Sequence, residues 1–505
     1  MVYQLMLVIL LLVQMGDDLR ATRREARSRM AFLRTPLVTS LLWSAVAVFV
    51  AAALVRTGIG SALLFGRPWA LLPAAALVSL GISFCWYRYI ERLDMFERER
   101  RRYLLLAFVL GCGCTLLVFP IGGWVRAYTP LVLDGNHWND WWYSVLAIGL
   151  VEETVKLLPY LVLLFATRQV DEPFDHLLYG SMSALGFAFM ENTLYLRDSH
   201  LMAFSGRAFT ASVSHMFDTS IICYGIAIDL HKQGRLRAWR IPLLLGLAAL
   251  AHGFYDYWLL SPHRPALLTF FFFLGTMHLW AQMKNNLVNI SPKHALGAIV
   301  RNRALRYGIL TSFVILFAFT VVLVLLLRGQ VAGESFLLDG GWQMAGTLLL
   351  LTMTFSAMEV VRGRLRPLRV PTDFRRWFLP RLESGAELAG QRVELKLGQH
   401  HDPQALERYI EGHLPVVGRI IERAALGDDT DWFVFVPERT IPLGEKYVPD
   451  RFLVQLHADH DHLREDRYAL LLLRAIRAPH APNSAAFTAD GVSRQGFRVM
   501  GRAIG

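Results

Sequence analysis

A series of apolar runs, each about as long as a membrane-spanning helix, dominates the 505-residue sequence. A bilayer core of about 30 Å needs roughly 20 residues of helix to cross it. Ten runs approach that length, near residues 36–55, 69–90, 103–120, 141–167, 176–196, 208–230, 241–260, 267–283, 307–327 and 344–361. Because spanning segments must satisfy their own backbone hydrogen bonds, the pattern predicts an all-α polytopic membrane helix bundle of about ten transmembrane helices.

The composition agrees with a chain that lies largely in lipid. Hydrophobic residues make up 54% of it and charged residues 18%, whereas soluble domains carry about a quarter charged residues. The formal net charge of +11 raises the question of nucleic acid. The basic residues, however, stand in short clusters between the apolar runs. We therefore predict the lipid bilayer as partner, with its anionic headgroups, and no nucleic acid.

The basic clusters also predict the orientation of the chain. Arginine and lysine collect in the stretches 20–34, 92–102, 232–240, 284–306 and 362–369. Each stretch falls on the same side if the ten runs alternate in direction, and short loops rich in basic residues stay in the cytoplasm. We expect a multi-pass protein of a bacterial-type inner (cytoplasmic) membrane with its C-terminus in the cytoplasm.

Three regions follow from the distribution of these runs. Residues 1–35 combine an apolar segment, 1–15, with a basic cytoplasmic stretch, and the apolar segment either crosses the membrane or lies on it. Residues 36–361 form the transmembrane bundle. Residues 362–505 have ordinary domain length and predict a soluble cytoplasmic domain, whose partner the sequence does not name.

The predicted cytoplasmic domain reads as small α+β. The segment 403–426 has helical spacing, whereas 431–436 and 451–456 read as short strands. A cluster of metal-binding residue types occurs in a charged stretch, where solvation is the stronger interpretation. Its members are His457, Asp459, His460, Asp461 and His462.

Ionisable residues inside four successive runs are the most informative feature of the bundle. Such groups are costly in a membrane and by default mark functional sites. The set consists of Glu152, Glu153 and Lys156, then Glu191 and Asn192, then His215 and Asp218, then His252 and Asp256. From the helical rise, four of them lie about 8 to 16 Å from the extracytoplasmic ends of their runs. This shared depth predicts one site rather than scattered contacts.

The residue types limit the chemistry of that site. Carboxylates with imidazoles can activate a water for attack on an amide, by general-base catalysis or by holding Zn²⁺. Lys156, one turn from Glu152, is expected to neutralise it and to leave Glu153 as the base. Asn192 is a candidate donor to the oxyanion, and Asp218 a candidate partner that orients the nearby His215.

The ordered motifs resemble the PrsW family of intramembrane proteases, which is similar to the larger group of CAAX prenyl endopeptidases. They are Glu-Glu-x-x-Lys at 152–156, Phe-x-x-x-Glu-Asn at 187–192, His215 and His-x-x-x-Asp at 252–256, within a core at 141–260. The flanking DHLLYG, with Asp175, matches as well. The basic N-terminal segment, the helices after 267 and the C-terminal domain have no counterpart in the short family members.

The resemblance implies a glutamate- or metal-dependent hydrolase that cuts a membrane-anchored protein, such as an anti-sigma factor, near the extracytoplasmic face. The predicted catalytic residues are Glu152, Glu153, Glu191, Asn192, His215, His252 and Asp256, with Lys156, Asp175 and Asp218 in support. Zn²⁺, if used, would take His215, His252 and Glu191 as ligands.

Two other classes of function fit the same residues. Buried carboxylates and histidines also build proton relays, so a proton-coupled transporter is one alternative. A non-catalytic membrane scaffold is the other, because a Glu/Lys pair or a lone membrane histidine often only joins neighbouring helices. Asp175 and Arg207 stand at helix starts, where a structural role is equally expected.

Overall fold

A computed structural model describes most of the membrane region and parts of the C-terminal region. The described residues are 2–25, 28–64, 67–260, 266–293, 302–358, 360–362, 365–370, 372, 392–397, 416–424, 431–440, 452–456, 468–476 and 492–503.

The described chain is mostly helical. Its α-helices are α1 Val2–Glu25, α2 Arg29–Leu33, α3 Pro36–Thr57, α4 Pro68–Leu93, α5 Arg101–Thr115, α6 Val118–Tyr128, α7 His137–Trp142, α8 Leu150–Ala166, α9 Pro173–Asp198, α10 Ser212–Gln233, α11 Arg240–Leu260, α12 Ala266–Asn289, α13 Asn302–Arg328, α14 Gln330–Ser335 and α15 Gly341–Phe355. Short π-helical stretches at Tyr143–Gly149, Gly206–Ala211 and Phe336–Gly340 lead directly into α8, α10 and α15.

These helices make the chain a multi-pass membrane protein. Within the described residues, five helical segments are long and apolar enough to cross a bilayer. They are Pro36–Thr57, Pro68–Leu93, Arg101–Tyr128, Arg240–Leu260 and Asn302–Arg328. Each of the ten apolar runs falls largely within helical structure, but the helices that carry most of the predicted site residues are not among these five. The count of ten spans therefore stays a prediction.

Glycines allow the helices around the site to approach closely. A Cβ added at Gly186 of α9 would lie 2.0 Å from the backbone oxygen of Phe108 in α5. A Cβ at Gly111 of α5 would lie 2.3 Å from the backbone oxygen of Ser183. Because no side chain separates the two backbones there, α9 is buried against α5 along the face that leads to Glu191.

A second close contact sets the position of α11. A Cβ at Gly253 would lie 2.5 Å from Cα of Val145, in the π-helical stretch before α8. A Cβ added at Gly149, at the end of that stretch, would lie 2.5 Å from the backbone oxygen of Ala249. The contact holds His252 beside the first turn of α8, where the two glutamates begin the helix.

Helix α1 contains the N-terminal apolar segment and joins the bundle through a buried ion pair. Asp18 pairs with Arg306 of α13 and accepts a hydrogen bond from the hydroxyl of Tyr307 at 2.9 Å. The segment is thus the first part of a 24-residue helix.

The C-terminal strands form a ring of antiparallel pairs. They are β1 Val361–Arg362, β2 Arg392–Leu397, β3 Val416–Ala424, β4 Asp431–Pro437, β5 Phe452–Leu456, β6 Tyr468–Ile476 and β7 Val492–Ala503. From β2 to β7, each strand pairs with the next strand along the chain. Strand β7 also pairs with β2, which closes the ring. Strand β1 adds to β3 in parallel.

This ring corrects one expectation and confirms another. Strands β4 and β5 coincide with the two predicted strands, whereas the predicted helix is wrong at residues 416–424, which form β3. Valines and isoleucines suit a strand, and β3 has strand partners on both edges. Residues 403–415 and the histidine and aspartate cluster at 457–462 lie outside the described residues.

Candidate active site

The ammonium group of Lys156 is the centre of the predicted site. Its Nζ lies 3.1 Å from Oε2 of Glu152 and 2.8 Å from Oε1 of Glu153, both on the preceding turn of α8. It also lies 2.9 Å from Nδ1 of His215 and 3.4 Å from Nδ1 of His252. Lys156 is fully buried. Three of the four motif helices therefore meet at one cation.

His252 faces carboxylates on both sides of its ring. Its Nδ1 lies 2.8 Å from Oε1 of Glu153. Its Nε2 lies 3.5 Å from Oε2 of Glu152 and 3.4 Å from Oδ2 of Asp256, one turn further along α11. The structure thus brings both glutamates, His252 and Asp256 together, as the sequence predicts.

His215 is held between Lys156 and the second motif helix. Its Nε2 lies 2.7 Å from Oε2 of Glu191, while its Nδ1 faces Lys156. The ring of Phe187 packs edge-on against His215, with centroids 5.6 Å apart. Glu191 is partly exposed, so α9 contributes a carboxylate at the rim of the site.

Arg207 is the residue whose part in this site the sequence did not reveal. It comes from the π-helical stretch before α10, and its Nη2 lies 2.8 Å from Oε2 of Glu191. Its Nε donates to Oδ1 of Asn192 at 2.6 Å, and its guanidinium lies over the ring of Tyr195. The available signal in the sequence was an arginine directly before the apolar run 208–230, which carries the predicted His215. The structure adds that Arg207 lies in a π-helical stretch, and such stretches recur at functional sites.

Asn192 is buried behind this contact. Its amide nitrogen donates to Oγ of Ser212 at 3.2 Å, while its oxygen accepts from Arg207. The residue is fully buried. These contacts make Asn192 a partner of Arg207, and the oxyanion role stays a prediction.

The division of roles between the two glutamates differs from the expectation. Glu153 is fully enclosed, and beside Lys156 and His252 it accepts a hydrogen bond from the hydroxyl of Thr219 at 2.9 Å. The side chain of Glu152 keeps 12% of its surface exposed. Lys156 contacts both carboxylates, so it does not leave Glu153 free, and Glu152 is the more accessible of the two.

The two supporting aspartates occupy different places. Oδ2 of Asp218 lies 3.7 Å from Nδ1 of His252, so Asp218 faces that ring rather than orienting His215 as expected. Oδ2 of Asp175 accepts from the backbone N–H groups of Asp171 and Glu172 at 3.0 and 2.7 Å, which caps α9. At about 1.5 Å per residue, this cap is about 24 Å along the helix from Glu191, outside the site.

Buried groups that could hold a metal overlap at His252. One consists of Glu152, His215 and His252, and the other of Glu153, Asp218 and His252, with the ligand atoms of each group within 4.8 Å of one another. These donor types suit zinc. Within the described residues, Glu191 joins neither group and instead contacts His215 and Arg207. As folded, the ammonium of Lys156 contacts Oε2 of Glu152 and Nδ1 of both histidines, so these atoms do not fit a metal ion while Lys156 stays there.

Comparisons with known proteins show which family the chain resembles. The sequence profile of a family described as "PrsW family intramembrane metalloprotease" matches residues 99–283. Protease PrsW of Geobacillus kaustophilus is 30% identical over 192 residues, which cover 38% of this chain and 80% of that protein. Protease PrsW of Bacillus subtilis is 28% identical over 220 residues, covering 43% of this chain and 96% of that protein.

A third relative, Protease PrsW of Shouchella clausii, is 29% identical over 213 residues, covering 41% of this chain and 95% of that protein. No solved structure matches the chain. The matched region contains every motif helix of the site, and the relatives are covered over most of their own length. The chain therefore belongs to the PrsW family of intramembrane proteases.

Proposed function

We propose that this protease is an endopeptidase that hydrolyses a peptide bond of a membrane-anchored protein near the extracytoplasmic face. A membrane-anchored anti-sigma factor is one such substrate. One observation carries the proposal: Glu152 is a buried carboxylate with an accessible edge, 3.5 Å from Nε2 of His252 and within a bundle of apolar helices. A water molecule that enters beside Glu152 meets both a base and an imidazole.

The reaction needs only groups that the chain provides. Glu152 takes a proton from the water, whose oxygen forms the new bond to the carbonyl carbon of the peptide. The C–N bond then breaks as Glu152 passes that proton to the leaving nitrogen. The products are a free carboxyl group and a free amine, and Glu152 returns to its starting state.

Two sets of contacts position these groups. Glu153, held by Thr219 and Lys156, fixes the ring of His252 through Nδ1 and leaves Nε2 facing Glu152. On the other side, Arg207 fixes Glu191, which in turn contacts His215. Glu153 and Arg207 act here through other residues, so we assign them as positioning residues.

Zn²⁺ is the cofactor that the family description raises. His215 and His252, with Glu152 or the predicted Glu191, supply suitable donor types, but Lys156 contacts Oε2 of Glu152 and Nδ1 of both histidines. The mechanism that these contacts favour is therefore attack by a glutamate-activated water.

The predicted topology agrees with this site. Ten spans with basic loops in the cytoplasm place the C-terminal domain, residues 362–505, in the cytoplasm of a bacterial-type cell. Glu191 lies 7 residues before the end of α9 and His252 lies 8 before the end of α11. At about 1.5 Å per residue, both are about 10 to 12 Å from the extracytoplasmic ends of their helices.

The transporter and scaffold alternatives are not favoured. A proton-coupled transporter needs its ionisable groups along a path, whereas here they meet around one lysine. A scaffold would tolerate loss of the buried site. Membership of a protease family favours neither alternative.

Replacing Glu152 by glutamine tests the proposal. The experiment incubates full-length protein in liposomes with a single-span substrate whose extracytoplasmic stalk is labelled, and identifies the fragments by mass spectrometry. We expect Glu152→Gln to abolish cleavage while the variant remains folded. Glu334→Gln, at an exposed glutamate of α14, is the matched control and should cleave normally. Cleavage at the wild-type rate by Glu152→Gln would refute the role of Glu152.

A further inference from the structure

Lys156 occupies the position at which the site would bind a metal ion. Its Nζ is within 2.8–3.1 Å of three acceptor atoms, which are Oε2 of Glu152, Oε1 of Glu153 and Nδ1 of His215. It also lies 3.4 Å from Nδ1 of His252, which donates its hydrogen to Glu153. An ammonium group has three N–H donors and no acceptor. The three shorter contacts account for these donors, and the 3.4 Å contact to His252 is electrostatic. The acceptors therefore already surround a cation that belongs to the chain.

Two of these atoms, Oε2 of Glu152 and Nδ1 of His215, are also available ligand atoms for a metal ion, because Nε2 of His215 faces Glu191. Zinc binds imidazole nitrogen and carboxylate oxygen at about 2.0–2.2 Å, so an ion among these donors would lie very close to the ammonium. Two cations at such a distance repel strongly in a water-poor interior. A metal ion and the charged side chain of Lys156 cannot share the position.

Lys156 has little freedom to move aside. Its side chain is fully buried, and Nζ lies 4.3 Å from the centre of the Phe187 ring, which stabilises a cation there. Its backbone oxygen accepts a hydrogen bond from the hydroxyl of Ser183 at 2.6 Å. Contacts from α9 thus hold both the backbone and the charged end of this residue.

The charge of the site would change if Lys156 were neutral. Glu152 and Glu153 are adjacent in sequence and both contact Nζ. Without the ammonium, two buried carboxylates and two imidazoles would face one another without a lysine counter-charge. A divalent cation is the ligand that satisfies such a set.

We propose that the ammonium of Lys156 and a divalent metal ion are alternative occupants of one position, and that Lys156 holds it in the folded protein. Removing the charge of Lys156 then creates a zinc site from Glu152, His215 and His252. The inference rests on the site assigned under the proposed function, but it concerns metal binding, which can be measured without any substrate.

The experiment compares zinc binding by full-length variants in detergent. Each protein is stripped with a chelator, equilibrated with buffered zinc and washed, and its zinc is measured by elemental analysis. Lys156→Met removes the charge and leaves an unbranched side chain that is one atom shorter. We expect it to bind near one zinc per chain at a free zinc concentration at least about tenfold below that needed by the wild type.

Two further variants make the result specific. Lys156→Arg keeps a cation at the position and should bind as little zinc as the wild type. Adding His252→Ala to Lys156→Met should remove the zinc that the single variant gains. Equal zinc affinity of the wild type and Lys156→Met would overturn the proposal.

If Lys156→Met does not fold, the zinc content of the protein with Lys156 intact tests the proposal. Stoichiometric zinc in the wild type that is lost on combining His215→Ala with His252→Ala would overturn the proposal, and wild-type zinc well below one per chain would support it. Cleavage assays of Glu152→Gln test the proposed function separately, so failure of one does not imply failure of the other.

Discussion

The guanidinium group of Arg207 lies 2.8 Å from Oε2 of Glu191, and the same oxygen lies 2.7 Å from Nε2 of His215. The carboxylate of Glu191, in α9, thus contacts both Arg207, in the π-helical stretch before α10, and His215, in α10 itself. Removing Arg207 leaves Glu191 free to rotate away from His215.

We expect Arg207→Ala to lower kcat for cleavage by about tenfold or more, a usual size for the loss of a group that orients a site residue. KM should change little, because Arg207 is not assigned to substrate binding. Arg207→Lys and added guanidinium should each restore part of the rate, which a merely structural defect would not allow. Arg197→Ala, at an exposed arginine of α9, is the control.

Glu153→Gln should destabilise the protein as well as lower cleavage. The change removes a buried charge that faces Lys156, His252 and Thr219. Breaking a buried ion pair on one side costs about 3 kcal/mol or more. Thr219→Val removes only one hydrogen bond to the same carboxylate, at about 1 kcal/mol. Thermal unfolding in detergent should therefore give a larger drop in Tm for Glu153→Gln, and the reverse order would contradict the assigned contacts.

Gly186→Ala should separate α9 from α5. The added methyl group would meet the backbone oxygen of Phe108 at 2.0 Å, and overpacking of this kind costs about 1–3 kcal/mol. Gly122→Ala in α6 makes the same chemical change where nothing lies within 4 Å. A lowered Tm for Gly186→Ala with an unchanged Tm for Gly122→Ala is the expected result in thermal unfolding.

The loop before α9 should loosen as pH rises. Burial raises the pKa of Glu172 from its ordinary value of 4.5 to about 7, with help from nearby Asp94 and against the hydrogen bond from Ser291. A folded-state pKa above the unfolded one contributes stability that is complete below about pH 4.5 and is lost as pH passes about 7. The protection factors of residues 167–172 against hydrogen exchange, which correct for the intrinsic pH dependence of exchange, should fall over that range.

Glu172→Gln is the matched variant for this pH effect. The amide keeps the shape of the side chain but does not titrate, so the fall in protection near pH 7 should disappear. A separate change near pH 6 can remain, because burial also raises the pKa of Asp94, to about 6. An unchanged step near pH 7 in Glu172→Gln would assign it to another group.

The sequence was enough to predict the helices and the main site residues, because both depend on long or strongly patterned segments. Apolar runs of about 20 residues locate the helices because a bilayer demands that length. The four motifs located Glu152, Glu191, His215 and His252, because ionisable residues inside such runs are too costly to be incidental.

The remaining features depend on contacts between distant residues. Helical spacing allowed Lys156 to contact Glu152 and Glu153, but it could not show that two histidines from other helices lie against the same ammonium. Arg207, before α10, reaches Glu191 of α9, and Asp218 faces His252 rather than the histidine three residues before it. Strand β3 forms from a segment with helical spacing because β2 and β4 pair along its two edges.

The pairing of Lys156 with both glutamates within α8 also affects the insertion of this helix into the membrane during synthesis. An unpaired charge at the centre of the bilayer costs about 2.5–3.5 kcal/mol on insertion scales. Both ion pairs join residues of one helix, so they can form while that helix leaves the translocon. His215 and His252 belong to segments synthesised later, and they complete the site only when the bundle closes. The helix that brings the reactive carboxylates into the membrane therefore brings their counter-ion with it.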